Sequence, residues 1–333
     1  MPTRKEDAGS PAVLEWLLEP GNPSVRFLAL RDLLGKRRDD SEVIEARAAI
    51  MEGDPVRRIL ARQSDGGHWG RPEDFYVRSK YKGTIWNLLL LAELNASGED
   101  ERVRRACQFV LQNSQTESGG FSVRKAEEES PGRHSVVPCY TGNMTFAMIR
   151  FGFLDDERVQ RAIGFLTRYR RFDDGDGRPK GFPYQHHENC WGRHTCMLGV
   201  VKTLKALAEV PPGRRKGEVK RTIEESAEFL PLHHLYKSSH DPDQVGQNRW
   251  PRFGFPLMWD TDVLEMLLLL ARLGYKDERL DDAIGLVRDK QKSNGRWRAE
   301  RSWNGRMLVR IDKEDESKWI TLRALTALRT IGR

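Results

Sequence analysis

The sequence predicts an all-α fold in which inner and outer helices alternate around a ring. Three observations support this prediction. A phrase built from Gln, paired Gly and an aromatic residue recurs at residues 63–70, 112–121 and 291–297. Nearly all-apolar segments alternate with amphipathic ones, and strand patterns are almost absent. Self-similarity over roughly 50–60 residues indicates stacked helical units, and about six such pairs can close into a ring with no exposed end.

The N-terminal segment, residues 1–52, forms the first helical unit. Helices are expected there at residues 12–18, 25–34 and 41–51, because each stretch has an apolar face and turn residues at its ends. The phrase from Pro23 to Leu30 resembles a helix of a HEAT repeat. We therefore expect residues 1–52 to pack as a unit on a ring formed by residues 53–333.

The remaining helices are of two kinds. Segments such as residues 83–94 are apolar on nearly every side and must be buried, whereas segments such as residues 100–112 bury only one face. The tetrapeptide Asp-Glu-Arg plus an apolar residue opens three outer helices, at Asp100, Asp156 and Asp277, where the aspartate can cap free N–H groups. The expected helices cover residues 56–63, 83–94, 100–112, 141–151, 156–170, 191–209, 219–230, 261–273 and 318–330.

Composition limits the class of protein. The 333 residues carry a net charge of +7 that is dispersed along the chain, and aromatic residues do not interleave with the basic ones as nucleic-acid binding would require. No apolar run reaches the ~18–20 residues of a membrane-spanning helix, although peripheral membrane contact stays open. Without a visible secretory signal, and with four cysteines in a chain of this length, we expect a cytoplasmic protein. The oligomeric state is not encoded in any pattern.

The recurring phrase, with helices on both sides, resembles the repeats of the terpenoid cyclase and protein prenyltransferase superfamily, which fold as an α/α toroid. The likeness covers about residues 51–333. The segment from Gly181 to Cys196 is similar to one in small prokaryotic proteins of the prenyltransferase-like or squalene cyclase-like kind. The resemblance implies an (α/α)6-barrel-like ring around an apolar central cavity that binds an isoprenoid or other apolar substrate, with lyase or transferase activity.

Protonation-initiated cyclases of this superfamily take their acid from Asp-x-Asp-Asp, in which neighbouring carboxyl groups tune the acidity of the donor. The nearest match here is Asp173, Asp174 and Asp176, interrupted by glycines and in a different order. A solvated turn is the simpler interpretation of this run, and cation binding by alternating Asp and Gly is another. The departure from the motif argues against squalene-type cyclisation.

Zinc enzymes of the same fold activate a thiol, because the metal lowers the thiol pKa. Cys139 and Cys196 are 57 residues apart, about one repeat, and Cys190 and His194 lie close by in sequence. These four residues form our candidate zinc site, at the same depth on the cavity wall. Buried thiols that pack as small apolar groups are the alternative. The Asp-x-Cys pattern of protein prenyltransferases is not found, so protein farnesylation is not supported.

Carboxyl and aromatic groups at the starts of the buried helices could line the mouth of the cavity. Asp262 is our preferred catalytic carboxylate, although an aspartate at a helix start commonly caps it. Aromatic faces bind apolar ligands and stabilise cations, but they also fill cores. The candidate substrate-binding residues are Tyr81, Trp86, Tyr140, Trp191, Trp259 and Trp319.

Two other functions stay open at this point, and so does the question of whether the protein is an enzyme. Helical (α/α)6 barrels also host carbohydrate-active enzymes that use paired carboxylates, which here would be Asp173 or Asp174 with Asp260 or Asp262. The glycine-turn phrase argues against that assignment. The HEAT-like beginning favours a non-catalytic helical-repeat scaffold for protein partners.

Overall fold

A computed structural model describes residues 9–73, 76, 79–123, 135–175, 177–185 and 188–332, and these residues form an α/α toroid, as predicted. Apart from isolated β-bridges, the described residues contain no strand pairing. Six inner helices surround the centre. They are α2 (Pro23–Leu28, continued by a π-helical turn Ala29–Leu33), α5 (Thr84–Glu93), α7 (Pro138–Arg150), α10 (Met197–Ala208), α12 (Val263–Arg272) and α14 (Lys318–Ile331).

The outer layer is amphipathic and covers the inner helices. It comprises α1 (Pro11–Leu17), α3 (Ser41–Glu52), α4 (Asp54–Leu60), α6 (Glu101–Asn113), α8 (Glu157–Tyr169), α11 (Gly217–Leu232) and α13 (Asp281–Asp289). A short helix α9 (Glu188–Trp191) precedes α10. The expected helix over residues 191–209 is therefore wrong at its start, since the chain leaves helical geometry after Trp191 and begins again at Met197. Among the described helices, none has both the length and the apolar character needed to cross a membrane.

In the first two glycine turns, a glutamine side chain ties the turn to the next outer helix. The Nε2 group of Gln63 donates to the carbonyl of Gly67 at 3.1 Å and to that of Arg102 in α6 at 2.8 Å. The second copy uses Gln115, which donates to Gly119 at 3.0 Å and to Arg158 in α8 at 2.6 Å. The sequence assignment of this copy to Gln112 is thus wrong by three residues, because the structural spacing from Gln to Gly is four.

The glycines in these turns are required by both conformation and space. Gly67 has a φ of 81° and Gly119 a φ of 91°, in the left-handed region that side chains disfavour. A Cβ atom on Gly67 would lie 2.7 Å from the carbonyl oxygen of Arg105, and one on Gly119 would lie 2.5 Å from that of Arg161. Glycine therefore allows each turn to touch the backbone of the following outer helix.

The aromatic residue of each phrase is fixed by a threonine on the next inner helix. The amide of Trp69 donates to Oγ1 of Thr84 at 3.0 Å, and the amide of Phe121 donates to Oγ1 of Thr141 at 3.0 Å. Trp297 repeats the bond with Thr321 at 3.0 Å. The phrase is thus a hydrogen-bonded joint between an outer helix, an inner helix and the following outer helix.

The two ends of the described chain meet and close the ring. α14 packs against α2 and its π-helical turn. At the third glycine turn, a Cβ atom on Gly295 would lie 3.2 Å from Val13, and the guanidinium of Arg296 lies 4.0 Å from a ring centroid of Trp16. α1 therefore takes the outer position that α6 and α8 take at the first two turns. The division of the chain after residue 52 stays a prediction.

Candidate functional site

The centre of the ring contains a cavity to which all six inner helices contribute. The volume that the centre of a water-sized sphere can occupy in it is about 60 Å³, and all the space between its walls, open solvent at the mouth included, is about 670 Å³. Most lining residues lie in the C-terminal halves of the inner helices, so the cavity reaches the rim opposite the glycine turns. Its apolar wall consists of Leu28, Phe146, Leu268, Leu269, Trp319 and Leu322, and its charged residues are Glu93, Arg150, Lys205, Glu209, Glu265, Arg272 and Arg323.

A buried chain of ion pairs crosses the cavity between four helices. Nζ of Lys205 lies 3.0 Å from Oε1 of Glu265 and also contacts Glu93. Glu265 receives a second bond from Nζ of Lys202 at 2.6 Å, and Nη2 of Arg323 lies 2.9 Å from Oε2 of Glu93. The Lys202 side chain has no exposed surface. Charges buried to this degree are retained at a cost in stability unless each is paired, as these are.

Glu265 and Glu93, the two carboxylates in this chain of ion pairs, stay ionised. Burial alone would raise the pKa of Glu265, but the ammonium groups of Lys202 and Lys205 outweigh burial and hold it well below its usual range. Burial opposes ionisation of Glu93 in the same way, and Lys205 and Arg323 lower its pKa. Neither carboxyl group is therefore suited to give up a proton as a general acid near neutral pH.

Further ion pairs surround the mouth of the cavity. Nη1 of Arg150 lies 3.3 Å from both carboxylate oxygens of Glu209, and Nη2 of Arg272 lies 2.9 Å from Oδ2 of Asp32. Four cationic and three anionic side chains line the cavity, which leaves one positive charge in excess. A cavity of this kind favours an anionic ligand group over a cationic one.

One polar group of the cavity lining has no partner. Trp319 is 1% exposed, and its ring stacks on that of Phe255 with centroids 4.0 Å apart. Its indole Nε1, a donor, makes no hydrogen bond to any described residue. Buried donors are normally bonded, so this N–H is a candidate donor to a bound ligand.

The other aromatic candidates lie near the glycine-turn rim rather than in this cavity. Trp86 and Tyr140 are 1% and 2% exposed and bond to neighbouring groups, Trp86 to the carbonyl of Tyr76 and Tyr140 to the hydroxyl of Ser114. Tyr81 accepts a bond from the half-buried Trp259 at 3.3 Å. Trp191 packs in a separate cluster with Val136 and Phe165. Of the six predicted residues, only Trp319 lines the central cavity.

Asp262 acts as a helix cap. Its Oδ1 accepts from the amide of Glu265 at 2.8 Å and its Oδ2 from that of Gly254 at 2.8 Å. It is 1% exposed, and burial raises its pKa to about 6. Asp260 is also buried and is paired with Arg301 and Arg249. The structure gives both carboxylates structural partners, and the catalytic role of Asp262 stays a prediction.

The aspartate run lies on a surface loop. Asp173 accepts from Nε of Arg171 at 2.7 Å. Asp174 accepts from the hydroxyl of Ser239 and lies 3.8 Å from Nε2 of His233. Asp176 is outside the described residues. These contacts agree with the interpretation of a polar turn, while the proposed acid and cation-binding roles stay predictions.

The cysteine candidates lie near one another but do not form a ligand set. Cys139, Cys190 and Cys196 are free thiols close enough to influence each other's ionisation, and burial raises the pKa of Cys190 to about 12. His194 is exposed and lies against Gly175. Among the described residues, no three His, Cys, Asp or Glu side chains converge as a metal ion requires. Zinc stays a prediction, and the donor geometry gives it no support.

Sequence reasoning missed the charged residues at the centre. A signal was present: Lys202, Lys205 and Glu265 are ionisable residues within otherwise apolar inner helices. Such residues are rarely buried unless they are paired. Their partners come from helices far apart in the chain, so only the closed ring brings them together.

Comparisons with known proteins find distant structural likenesses and no family. A scan with models of protein families gives no match, and neither does a search of curated proteins. Similar solved structures include a protein from Actinoplanes (15% identity, TM-score 0.47, 95% of this chain and 90% of that one). A type II terpene cyclase from Scytonema in complex with geranylgeranyl dihydroxybenzoate shares 17% identity (TM-score 0.41, 96% and 98%). A family 105 glycoside hydrolase from C. acetobutylicum shares 10% (TM-score 0.48, 97% and 99%). Because these likenesses are distant, they favour no activity over another.

Proposed function

We propose that this protein binds a small amphipathic molecule, an apolar group with an anionic head, in its central cavity. One observation carries the proposal: a single cavity, built by all six inner helices, joins an apolar wall to an excess of cations and an unpaired indole N–H. Pockets for small molecules are typically apolar with a few convergent polar groups. Cations beside the cavity would pair with the head, and Trp319 would donate to it.

An isoprenoid with a phosphate or carboxylate head is the ligand chemistry that we propose. Leu268, Leu269 and Leu322 supply apolar surface for the chain, and Lys205 and Arg323 supply charge for the head. Lysine and arginine also stabilise negative charge on a departing group. Release or transfer of an anionic group therefore fits this site better than protonation of an alkene, since Glu93 and Glu265 are held ionised. A cytoplasmic location is part of this proposal.

The test compares farnesyl diphosphate with its two halves, farnesol and inorganic diphosphate, by calorimetric titration and thermal unfolding. We expect farnesyl diphosphate to bind and to raise the melting temperature more than either half. Arg323→Met should weaken binding by roughly tenfold or more, because a charge-assisted hydrogen bond contributes about 1.5–3 kcal/mol. Arg329→Met, an exposed site in the same helix, is the matched control and should bind as the unchanged protein does.

A second candidate function, a non-catalytic scaffold, is favoured by the pairing of the cavity charges. Each of the four cations that line the cavity has a carboxylate partner among the described residues. Each of these four cations is thus paired without a ligand. If farnesyl diphosphate, farnesol and diphosphate all leave the melting temperature unchanged, the scaffold replaces the ligand-binding proposal.

The carbohydrate-active alternative stays a hypothesis with weaker geometric support. A glycosidase needs one accessible carboxyl group with a raised pKa beside a second carboxylate. Asp262 has the raised pKa but lies buried, with both oxygens bonded to backbone amides.

A further inference from the structure

A buried arginine outside the central cavity has no counter-ion among the described residues. Arg170 follows α8 and is 9% exposed, and its Nε and Nη1 atoms have no hydrogen-bond partner among the described residues. The next residue behaves differently: Arg171 pairs with Asp173 and donates from Nη1 to the carbonyl of Gly192 at 2.6 Å. A guanidinium cannot lose its proton in a protein, so Arg170 is a positive charge that no described carboxylate balances.

The Arg170 guanidinium lies between the first turns of two inner helices. A Cβ atom on Gly199, in the first turn of α10, would overlap its Nη1 atom. The same Cβ atom would lie 2.9 Å from Cγ of Pro138, the first residue of α7. On a further side, the ring of Trp191 lies 5.6 Å from the guanidinium carbon. The absence of a side chain on Gly199 thus leaves the space that Arg170 uses.

The helices add to the positive potential at this place. The N-terminus of a helix carries a partial positive charge and free N–H groups. α7 and α10 have 13 and 12 residues, and neither N-cap side chain, Val137 or Cys196, accepts a hydrogen bond from the helix. α7 begins with Pro138, which has no N–H, and the amide of Tyr140 bonds to the Cys139 thiol, so α10 supplies most of the free amides. Two helix starts without a side-chain cap and a guanidinium with two unpaired nitrogens therefore point to an anion that none of the described carboxylates supplies.

The polar side chains nearest to Arg170 do not cancel its charge through their ordinary ionisation. It interacts electrostatically with Cys196, Tyr184 and Cys139, and with the neighbouring Arg171. Cys196, Tyr184 and Cys139 carry thiol and phenol groups, and no described carboxylate pairs with Arg170.

We propose that Arg170 and the N-terminal turns of α7 and α10 form an oxyanion-binding site. The chemical class is a phosphate or carboxylate group, free or attached to a small molecule. Guanidinium N–H groups match the geometry of such oxygens, and helix N-termini bind them through backbone amides. The site is separate from the central cavity, because no Arg170 atom lines that cavity.

The test measures thermal unfolding in inorganic phosphate against sodium chloride at equal ionic strength. We expect phosphate to raise the melting temperature by about 2–5 °C at saturating concentration. Arg170→Met should abolish this rise. It should also raise the melting temperature in chloride, since it removes an unpaired buried charge. Arg168→Met, an exposed site in the last turn of α8, is the matched control and should keep the phosphate response.

Three results would overturn the proposal. They are an unchanged protein that does not distinguish phosphate from chloride, an Arg170→Met variant that keeps the response, and a variant that loses stability in chloride. The last result would mean that a group of the chain, such as a Cys196 thiolate, already neutralises Arg170. If Arg170→Met does not fold, Arg170→Gln and phosphorus NMR line broadening with the unchanged protein answer the same question. Arg323→Met should keep the phosphate response, which separates this site from the central cavity.

Discussion

At the scale of single residues, environment decides the role of a carboxyl group that sequence alone leaves ambiguous. Asp262 and Glu265 lie three positions apart at the start of α12, and both are buried. Asp262 faces backbone amides and has a raised pKa, whereas Glu265 faces two lysines and has a lowered one. The sequence identified Asp262 as either a cap or a catalytic group, and the structure confirms the cap. The sequence alone could not identify the lysine partners of Glu265, because they lie in another helix.

The raised pKa of Asp262 predicts a pH-dependent contribution to stability. Its folded pKa of about 6 exceeds the ordinary value of 3.8, so the folded protein holds this proton more tightly than the unfolded chain. The contribution of Asp262 to the stability of the folded state is complete below pH 3.8, and it is lost as the pH rises through 6. The unfolding free energy of the unchanged protein, minus that of Asp262→Asn, should fall by up to about 3 kcal/mol over this range and then stay level.

Urea titrations between pH 4 and pH 8 measure this difference. Asp289→Asn, at an exposed position of α13, controls for general effects of removing a negative charge. A difference that is flat between pH 4 and 6, or that grows with pH, would show that Asp262 does not bind its proton in the folded state.

At the scale of elements, local signals predicted much of the architecture. The Asp-Glu-Arg phrase does cap α6 and α8: the carboxylate of Asp100 accepts from the amide of Arg102 at 2.9 Å, and Asp156 accepts from Arg158 at 2.9 Å. The near-apolar segments are the inner helices. The predictions that failed concern register and helix continuity. Gln112 was assigned to the second turn in place of Gln115, and one continuous helix was expected to start at Trp191. Composition and spacing cannot identify which glutamine bonds to a carbonyl of the next outer helix, because the position of that helix is known only from the structure.

The joint at each glycine turn predicts an unequal effect of two threonine substitutions. Thr141→Val removes the acceptor of the Phe121 amide, a residue with no exposed surface, and should destabilise the protein by about 1–3 kcal/mol. Thr203→Val changes a buried hydroxyl that has no partner in the described part of the chain, so it should be neutral or stabilising. Denaturant unfolding of the two variants checks this. Equal losses would mean that the Phe121 bond contributes nothing beyond side-chain packing.

The close contact of α7 with α10 predicts a second pair of effects. A Cβ atom on Gly142 would lie 2.5 Å from the carbonyl group of Lys202, so Gly142→Ala should cost about 1–3 kcal/mol. Gly164 lies within α8 with nothing inside 4 Å of such an atom, and Gly164→Ala should stabilise the helix by about 0.5–1 kcal/mol. Thermal unfolding compares them. Two stabilising substitutions would show that the helices are further apart than described.

At the scale of the whole molecule, closure of the ring creates what no single segment contains. Glu93, Lys205, Glu265 and Arg323 belong to α5, α10, α12 and α14, and they meet only because α14 packs back against α2. Sequence analysis predicted the ring and a central cavity but expected an apolar lining with its mouth at the glycine turns. The cavity instead is charged and opens toward the other rim. Convergence of residues more than 200 positions apart leaves no local pattern to detect.

The central claim is that the ligand occupies this cavity, and fluorine NMR tests it most directly. The protein would be labelled with 5-fluorotryptophan, and the Trp319 resonance assigned with Trp319→Phe. We predict that farnesyl diphosphate shifts the resonance of Trp319 and leaves in place those of Trp259 and Trp303, which both contact Tyr81 near the glycine-turn rim. A shift of the rim resonances without a change at Trp319 would contradict the claim and place the ligand at the opposite mouth.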